Sequence, residues 1–478
     1  MVIVLSLLSG LLAYASFAPL GYWWCAPFSL ALLVHVLSER SLRRRALGVV
    51  VFGASFFGPL LAWSNTYVGD TPWLILTLLQ IALLLPLALL PMSKLSNLFL
   101  FPSIWVAVEF LRGHFPFNGF GWGRIAFSQS SAPYALAAGV GGAPLLSFLV
   151  AIMALGIYFT FRSRFKIAAL VFISVLVFTT ITFATVPAIP KRDFPILAIQ
   201  GGVPTLGLDF NARATAVFEN HLHASVDYLK SEKFKPLVVL WPENSIDVDP
   251  FHNIAVRDQL DSLVDEFNTP FIVGAVLQHG SNFQNASILW QPHRGATSIY
   301  VKRHLTPFGE YIPLRTIAEV ISPYAKNVVD FLPGQRVIVH TVGRAKIAPI
   351  ICFELLDDAS GRAMARESNL FVVQTNSATF GISPESDQQL GITRVRAIEH
   401  RRFTISIATS GVSAIIDPRG RVTEKTGENQ RAVIASLVGL NNSRSPADKY
   451  GSQIEFILIL FPPILVTLQS KRRREPSL

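Results

Sequence analysis

A thiol, a carboxylate and an ammonium are the groups in this sequence that could together carry out acyl transfer. Cys352 stands in KIAPIICFELL (346–356), Glu243 in WPEN (241–244), and Lys302 opens KRHLTPFGEYIP (302–313). A thiol attacks an acyl carbon, a partly desolvated carboxylate takes its proton, and a fixed cation holds the oxyanion that forms. Each residue alone has a plainer reading. An isolated cysteine in an apolar strand is usually a small buried hydrophobe, a glutamate at a strand end is usually a cap or surface charge, and a basic run is usually a solvated face.

The elements around these residues present them. The apolar run Ile347–Ile351 reads as a buried strand that delivers Cys352 to its end, just ahead of a helix opening at Phe353 and Glu354. Backbone N–H groups and a helix dipole at that place would favour the thiolate. Leu237–Leu240 reads as a second buried strand. Proline cannot continue a central ladder, so Pro242 stops that strand and exposes Glu243, whose tryptophan and proline neighbours desolvate the carboxylate and raise its pKa. Tyr300–Pro313 holds Lys302, Arg303, His304 and Glu310 among prolines and a glycine, so it reads as part strand and part ordered loop.

The pattern continues through a strand at Ile196–Gln200, a helix over Asn211–Lys230, a helix near Arg257–Phe267 and a strand pair, Phe271–Leu277 and Ala286–Trp290. Leu370–Gln374, ending at Asn376, precedes a helix over Glu385–His400. Strands Thr404–Ala408 and Val412–Ile416 and a turn at Asp417–Gly420 follow. Such alternation predicts a layered α/β domain over 190–450.

Residues 1–189 differ in kind. Hydrophobic residues make up 51% of the 478 and charged residues 15%, which points to a membrane protein. Candidate spans are Val2–Phe17, Tyr22–Leu37, Ala46–Trp63, Trp73–Leu90, Leu98–Leu111, Tyr134–Phe161, Ile167–Val186 and Ile454–Leu468. The first lacks a basic n-region and runs directly into the second, so a retained helix is expected rather than a secretory signal. Arg40, Arg43 to Arg45, Lys94, Arg162, Arg164, Lys166 and Lys471 to Arg474 all fall on one side if the amino terminus is cytoplasmic. The positive-inside rule then puts the α/β domain outside the cytoplasm, with both termini inside. The net charge of +10 therefore reads as topology signals rather than a nucleic-acid surface. With only Cys25 and Cys352 present, far apart and in different regions, a disulfide framework is not expected. Within the spans, Glu109 and Arg112 stand at i, i+3 spacing, placed to pair with each other and to brace the glycine-rich loop 113–123.

WPEN, KRHLTPFGEYIP and ICFE, in that order and together with TNSATFG at 375–381, resemble the catalytic blocks of the nitrilase (carbon–nitrogen hydrolase) superfamily. The eight spans, the outward domain and WVAVEFLRG narrow the resemblance to the apolipoprotein N-acyltransferases of bacterial envelopes, over practically the whole chain. That resemblance implies a multi-span α-helical membrane domain (1–189, seven helices), an αββα nitrilase-like sandwich (190–450), and a last helix with a basic tail (451–478). It implies Glu243 as general base, Lys302 as oxyanion stabiliser, Cys352 as nucleophile and Glu310 as a supporting carboxylate near Lys302, with Phe353, Glu354 and Asn376 as further supporting positions. The implied partners are a membrane phospholipid as acyl donor, a diacylated apolipoprotein as acceptor and the bilayer of the bacterial inner membrane. A monomer is expected, with no metal or organic cofactor.

Three departures surround these blocks. Phe353 replaces the family's usual tyrosine, Thr379 stands where tryptophan is common, and no tryptophan occurs around Leu208 and Asp209. They leave donor and acceptor preference open. Two other classes of function fit the same residues: a membrane-tethered amidase or acyltransferase for another amine, and a catalytically inert envelope paralogue.

Overall fold

The computed structural model describes residues 1–67, 69–206, 215–321, 325, 326 and 328–472, with side chains of the last helix described to Leu460 and at Pro463. The tryptophan-free region at Leu208 and Asp209, the start of the helix expected from Asn211, and the last basic residues Arg473 and Arg474 lie outside the described residues. The chain forms two compact units. One comprises Met1–Asn65, Asp70–Pro187 and Ser445–Leu478, the other Thr66–Gly69 and Ala188–Arg444.

The first unit is helical: α1 (Val2–Ala15), α2 (Cys25–Leu37), α3 (Leu42–Leu60), α4 (Asp70–Leu84), α5 (Leu95–His114), α6 (Ala138–Phe161), α7 (Phe165–Thr185) and the C-terminal helix Pro446–Arg472. Among the described residues, four segments are long and apolar enough to cross a bilayer: Asp70–Leu89, Leu95–His114, Ala135–Phe161 and Phe165–Thr185. Helices α1 and α2 are apolar but shorter. The span expected over Leu98–Leu111 is a 20-residue helix, because Arg112 and His114 continue it with their polar groups bonded rather than ending it. Helix α3 begins four residues before the expected Ala46, since Arg45 is buried and donates to the carbonyls of Ala88, Glu39 and Arg40. Most of α7 turns apolar side chains outward, among them Phe165, Leu170, Ile173 and Leu176, as suits a helix solvated by lipid. This is a membrane protein.

The second unit is a four-layer α/β sandwich. Its strands are β1 (Arg192–Gln200), β2 (Val238–Leu240), β3 (Phe271–His279), β4 (Asn282–Gln291), β5 (Gly295–Val301), β6 (His340–Val342), β7 (Ala345–Ile351), β8 (Leu370–Thr375), β9 (Thr404–Ala408), β10 (Ala414–Ile416), β11 (Val422–Lys425) and β12 (Ala432–Gly439). Its helices are α8 (Ala216–Leu229), α9 (Ile254–Glu266), α10 (Arg315–Ile321), α11 (Asp358–Glu367) and α12 (Glu385–His400). Two six-stranded sheets have the orders β12-β1-β2-β3-β4-β5 and β11-β10-β9-β8-β7-β6. Ile196, Val238, Ile347, Val372 and Ile405 pack between the sheets, while Trp241, Val256, Leu260 and Phe271 fill the space between the first sheet and its helices. Strands β2, β7 and β8 are buried along nearly their whole length, which explains their continuous apolar runs. Both sheets have parallel centres, β1-β2-β3 and β7-β8-β9, so several strand ends open on one edge.

Inside the membrane unit, Glu109 and Arg112 do not pair as their spacing suggests. Arg112 donates to Gln80 Oε1 (2.6 Å) and to the Trp122 carbonyl (2.7 Å), and its guanidinium lies 4.4 Å from the Phe57 ring centre. Glu109 instead accepts from Trp105 Nε1 (3.0 Å) and Ile125 N (2.7 Å) and faces Arg124 at 3.6 Å. Arg112 does brace the glycine-rich loop, at Trp122, while Glu109 holds Ile125 and Arg124 just beyond it. Arg124 reaches on to Glu455 of the C-terminal helix at 3.0 Å, so one buried cation joins the first part of the unit to the last. Removing one partner of a buried ion pair costs about 3–5 kcal/mol, because the other charge stays buried and uncompensated. Arg124→Met is therefore expected to lower the thermal unfolding midpoint of the detergent-purified chain, whereas Arg44→Met, at an exposed arginine, should not. Equal midpoints for the two variants would contradict this role.

Candidate active site

Each of the three chemistry-bearing residues leaves the end of a strand. After β2, Trp241 is fully buried against Phe218, His221 and Phe271 and donates Nε1–H to Ser225 Oγ (2.9 Å). Its carbonyl accepts from Gln374 Nε2 of the other sheet at 2.7 Å. With Trp241 fixed from both sides, Pro242 and Glu243 follow in one direction only. Gly274 of β3 lies directly against them. A Cβ there would fall 2.3 Å from the Pro242 carbonyl oxygen and 2.7 Å from Glu243 Cα, so only glycine fits. Lys302 follows β5, its backbone N–H bonded to the Asn285 carbonyl on β4 (2.8 Å). Cys352 follows β7.

Lys302 Nζ lies 2.8 Å from Glu310 Oε2, 3.2 Å from Thr306 Oγ1 and 3.6 Å from Glu243 Oε1. These groups are withdrawn from water, with Lys302 1% exposed, Glu243 5% and Glu310 8%, so their charges must balance among themselves. Burial alone would lower the Lys302 ammonium, but Glu310 and Glu243 outweigh it and hold it above its ordinary value. Burial would raise Glu310, yet Lys302 holds that carboxyl below the usual range. Glu243 moves the other way. Burial pushes it up, Lys302 opposes this, and Glu310 adds to the rise. The two carboxylates share one cation unequally, leaving Glu310 as the committed counter-ion and Glu243 as the group able to take a proton.

The structure corrects one expectation at Cys352. The turn after β7 is a 3-10 turn, Cys352–Leu356, and α11 starts only at Asp358, so the thiol does not head an α-helix. Cys352 has φ +47°, a left-handed conformation costly for a side-chain-bearing residue and typical of strained functional positions. Rather than favouring the thiolate, burial pushes the thiol well up, Glu243 adds to this, and Lys302 only partly offsets it. The resting group is the thiol.

Glu354 and Phe353 hold the two reactive segments together. Glu354 Oε1 accepts from Tyr300 Oη (2.6 Å), Arg303 N (2.8 Å) and His304 N (3.3 Å), while Oε2 accepts from Ile351 N (2.9 Å). One carboxylate thus ties the backbone beside Lys302 to the backbone beside Cys352. The Phe353 ring stacks on His304 at 5.5 Å. Asn376, after β8, accepts on Oδ1 from Thr409 Oγ1 (2.8 Å) and Ala378 N (3.1 Å), and its own backbone N–H supports Glu243.

Sequence reasoning missed Asn285, whose Nδ2 donates to both Glu243 Oε1 (2.7 Å) and Glu310 Oε1 (2.8 Å). The expected strand began one residue later, at Ala286, so Asn285 read as loop. Gln389 and Glu385 of α12 were missed as well. Gln389 Nε2 lies 3.8 Å from Cys352 Sγ, and Glu385, 2% exposed, pushes the Cys352 thiol up and is itself pushed up by burial and by Glu243. Their i, i+4 spacing was the available signal, hidden by polar residues on every side of that helix.

The charge balance has a testable pH signature. In the wild type, Glu310 is held low, so its stabilisation is present above its unfolded pKa of about 4.3 and is lost as pH falls through the depressed folded value. Lys302→Met leaves two buried carboxylates with no cation and raises the pair. That variant keeps its stability below the unfolded pKa and loses it as pH rises through the raised one. The stability gap between wild type and variant is expected to widen from about pH 4 to neutral, reaching about 3–5 kcal/mol. Denaturation midpoints across that range measure it, and a gap independent of pH would refute charge balance as the role of Lys302.

Comparison with known proteins agrees with this architecture. Residues 9–156 match the family described as "Apolipoprotein N-acyltransferase N-terminal domain", and residues 205–445 match "Carbon-nitrogen hydrolase". The apolipoprotein N-acyltransferase of Mycolicibacterium smegmatis is 32% identical over 94% of this chain and 82% of its own length. That of Geobacter metallireducens is 26% identical over 98% and 95% respectively. Among solved structures, a Nesterenkonia amidase of the nitrilase superfamily aligns with 56% of this chain and 98% of its own, at 14% identity and a TM-score of 0.41. With one of these families matching the membrane-helical part and the other the sandwich, and a relative 32% identical over 94% of its length, the chain belongs to the apolipoprotein N-acyltransferase family.

Proposed function

We propose that this chain moves an acyl chain from a membrane phospholipid to the α-amine of a diacylglyceryl-cysteine on an apolipoprotein, through a thioester on Cys352. The observation that carries the reading is the partly exposed Cys352 thiol at a strained strand end, within electrostatic reach of the Glu243 carboxyl and of the Lys302 ammonium that lies 3.6 Å from that carboxyl.

In the first half, Glu243 takes the thiol proton as Sγ attacks the ester carbonyl carbon. Protonation removes the charge that Lys302 faces at 3.6 Å, and the ammonium turns its third N–H to the new oxyanion while Glu310 and Thr306 keep the other two. Collapse breaks the ester C–O bond, and the proton passes from Glu243 to the leaving oxygen, giving a lysophospholipid. In the second half, the acceptor amine attacks the thioester carbon. Glu243 receives a proton from nitrogen and returns it to Sγ as the C–S bond breaks.

Residues 190–450 are the catalytic domain in this reading, with seven membrane helices before it and one after. The loop charges orient it outside the cytoplasm of the bacterial inner membrane, with the termini inside. The membrane helices keep the chain in the bilayer that holds both acylated substrates.

Mass spectrometry of lipoprotein amino termini tests the proposal in a strain whose only copy of this activity is the wild type or Cys352→Ala. N-acylated termini are expected with the wild type, and diacylated termini with a free amine in the variant. Wild-type protein that leaves all termini free would overturn the reading. Release of ammonia from small amides, with no acyl transfer from phospholipid, would replace it with an amidase.

A further inference from the structure

In each half-reaction above, negative charge builds on Cys352 Sγ, first as it attacks the donor ester and again as it leaves the acyl carbon. Glu243 moves the protons and Lys302 turns to the oxyanion, so neither is free to meet that charge on sulfur. The setting opposes it. Burial pushes the thiol up, Glu243 after β2, Glu385 on α12 and Glu310 after β5 push it further, and Lys302 offsets them only in part while it holds Glu310 at 2.8 Å. A sulfur gaining charge there needs a donor close by.

Gln389 is placed to be that donor. It stands one turn into α12, 4% exposed, with Nε2 3.8 Å from Sγ across 37 positions of chain. Among the described residues no other group donates a hydrogen bond to Sγ, and Nε2 donates to nothing else. The helix that carries it is fixed to the cysteine turn. Arg396 of α12, 2% exposed, donates to the Leu355 carbonyl of that turn at 2.8 Å and pairs with Asp358 just after it at 2.6 Å. Thr393 Oγ1 donates to the Gln389 carbonyl at 2.9 Å. A thiol is a weak acceptor, so the separation is long at rest and shortens as sulfur becomes anionic.

We infer that Gln389 is a further catalytic residue, whose amide N–H hydrogen-bonds Sγ as the sulfur gains negative charge in the attack on the donor ester and again in its departure from the thioester. This rests on the acyltransfer reading above and gives sulfur what Lys302 gives oxygen. No bond to Gln389 forms or breaks. The thiol proton goes to Glu243 and returns from it as before, because an amide neither takes nor releases a proton here. The carboxyl groups gathered around Sγ favour the N–H end of the amide on that side rather than its oxygen.

The full-length protein in phospholipid–detergent micelles tests this by acyl transfer and by labelling of Cys352. Gln389→Met keeps the length of the side chain and loses the N–H. Its lysophospholipid burst at pH 7 should slow about tenfold, as for the loss of one hydrogen bond to a charged atom, with the half-saturating phospholipid level within about twofold of wild type. Methyl methanethiosulfonate, which takes up sulfur without presenting a carbonyl, should label Cys352 about threefold more slowly, since a less acidic thiol is less ionised but more nucleophilic once ionised. Gln389→His, which keeps an N–H at that place, should recover part of both rates. An unchanged burst, equal losses in the two variants, or a loss lying wholly in phospholipid affinity would each overturn the role of Gln389. So would labelling at wild-type speed beside a slowed burst, which puts the amide on the carbonyl oxygen, or faster labelling, which puts its oxygen on the thiol. Labelling needs no acyl donor, so a wild type that releases no lysophospholipid refutes the acyltransfer reading while the contact with sulfur is still read.

Discussion

One buried ammonium, shared by two buried carboxylates, is the interaction on which the catalytic unit depends. A lone charge at 1% exposure would be expelled or neutralised, so Lys302 requires Glu310 and Glu243, and they require it. The unequal distances, 2.8 Å and 3.6 Å, make the sharing useful. The nearer carboxylate is satisfied and stays ionised, while the farther one is left free to bind a proton. Taken together, Lys302, Glu310 and Glu243 carry one negative charge more than positive. That excess is part of why the adjacent thiol does not ionise by itself.

The fold maintains that arrangement by linking the two sheets at the edge where their parallel strands end. Gln374 bonds the Trp241 carbonyl across the sheets, Glu354 ties the Lys302 loop to the Cys352 turn, and Asn285 holds both carboxylates with one amide group. Each link is a buried hydrogen bond to a charged or backbone group, the kind whose loss leaves a desolvated partner. The strained backbone at Cys352 is tolerated because the residues on either side of it are pinned, Ile351 through its N–H to Glu354 and Phe353 through its stack on His304.

Much of this was legible in the sequence because the physics involved is local. Continuous apolar runs gave the buried strands, and a proline after Trp241 marked where one stopped. The ranges Glu385–His400 and Thr404–Ala408 coincide with those observed. What was hidden is non-local. Nothing beside Asn285 announces that two carboxylates come to its amide from 42 and 25 positions away, and nothing beside Glu109 announces that Arg124, rather than Arg112, is its counter-ion. The expected helix dipole at Cys352 failed for a related reason. A strand followed by Phe-Glu reads as a helix start, but Glu354 turns back to its own strand and to the Lys302 loop, and that closes the segment as a 3-10 turn.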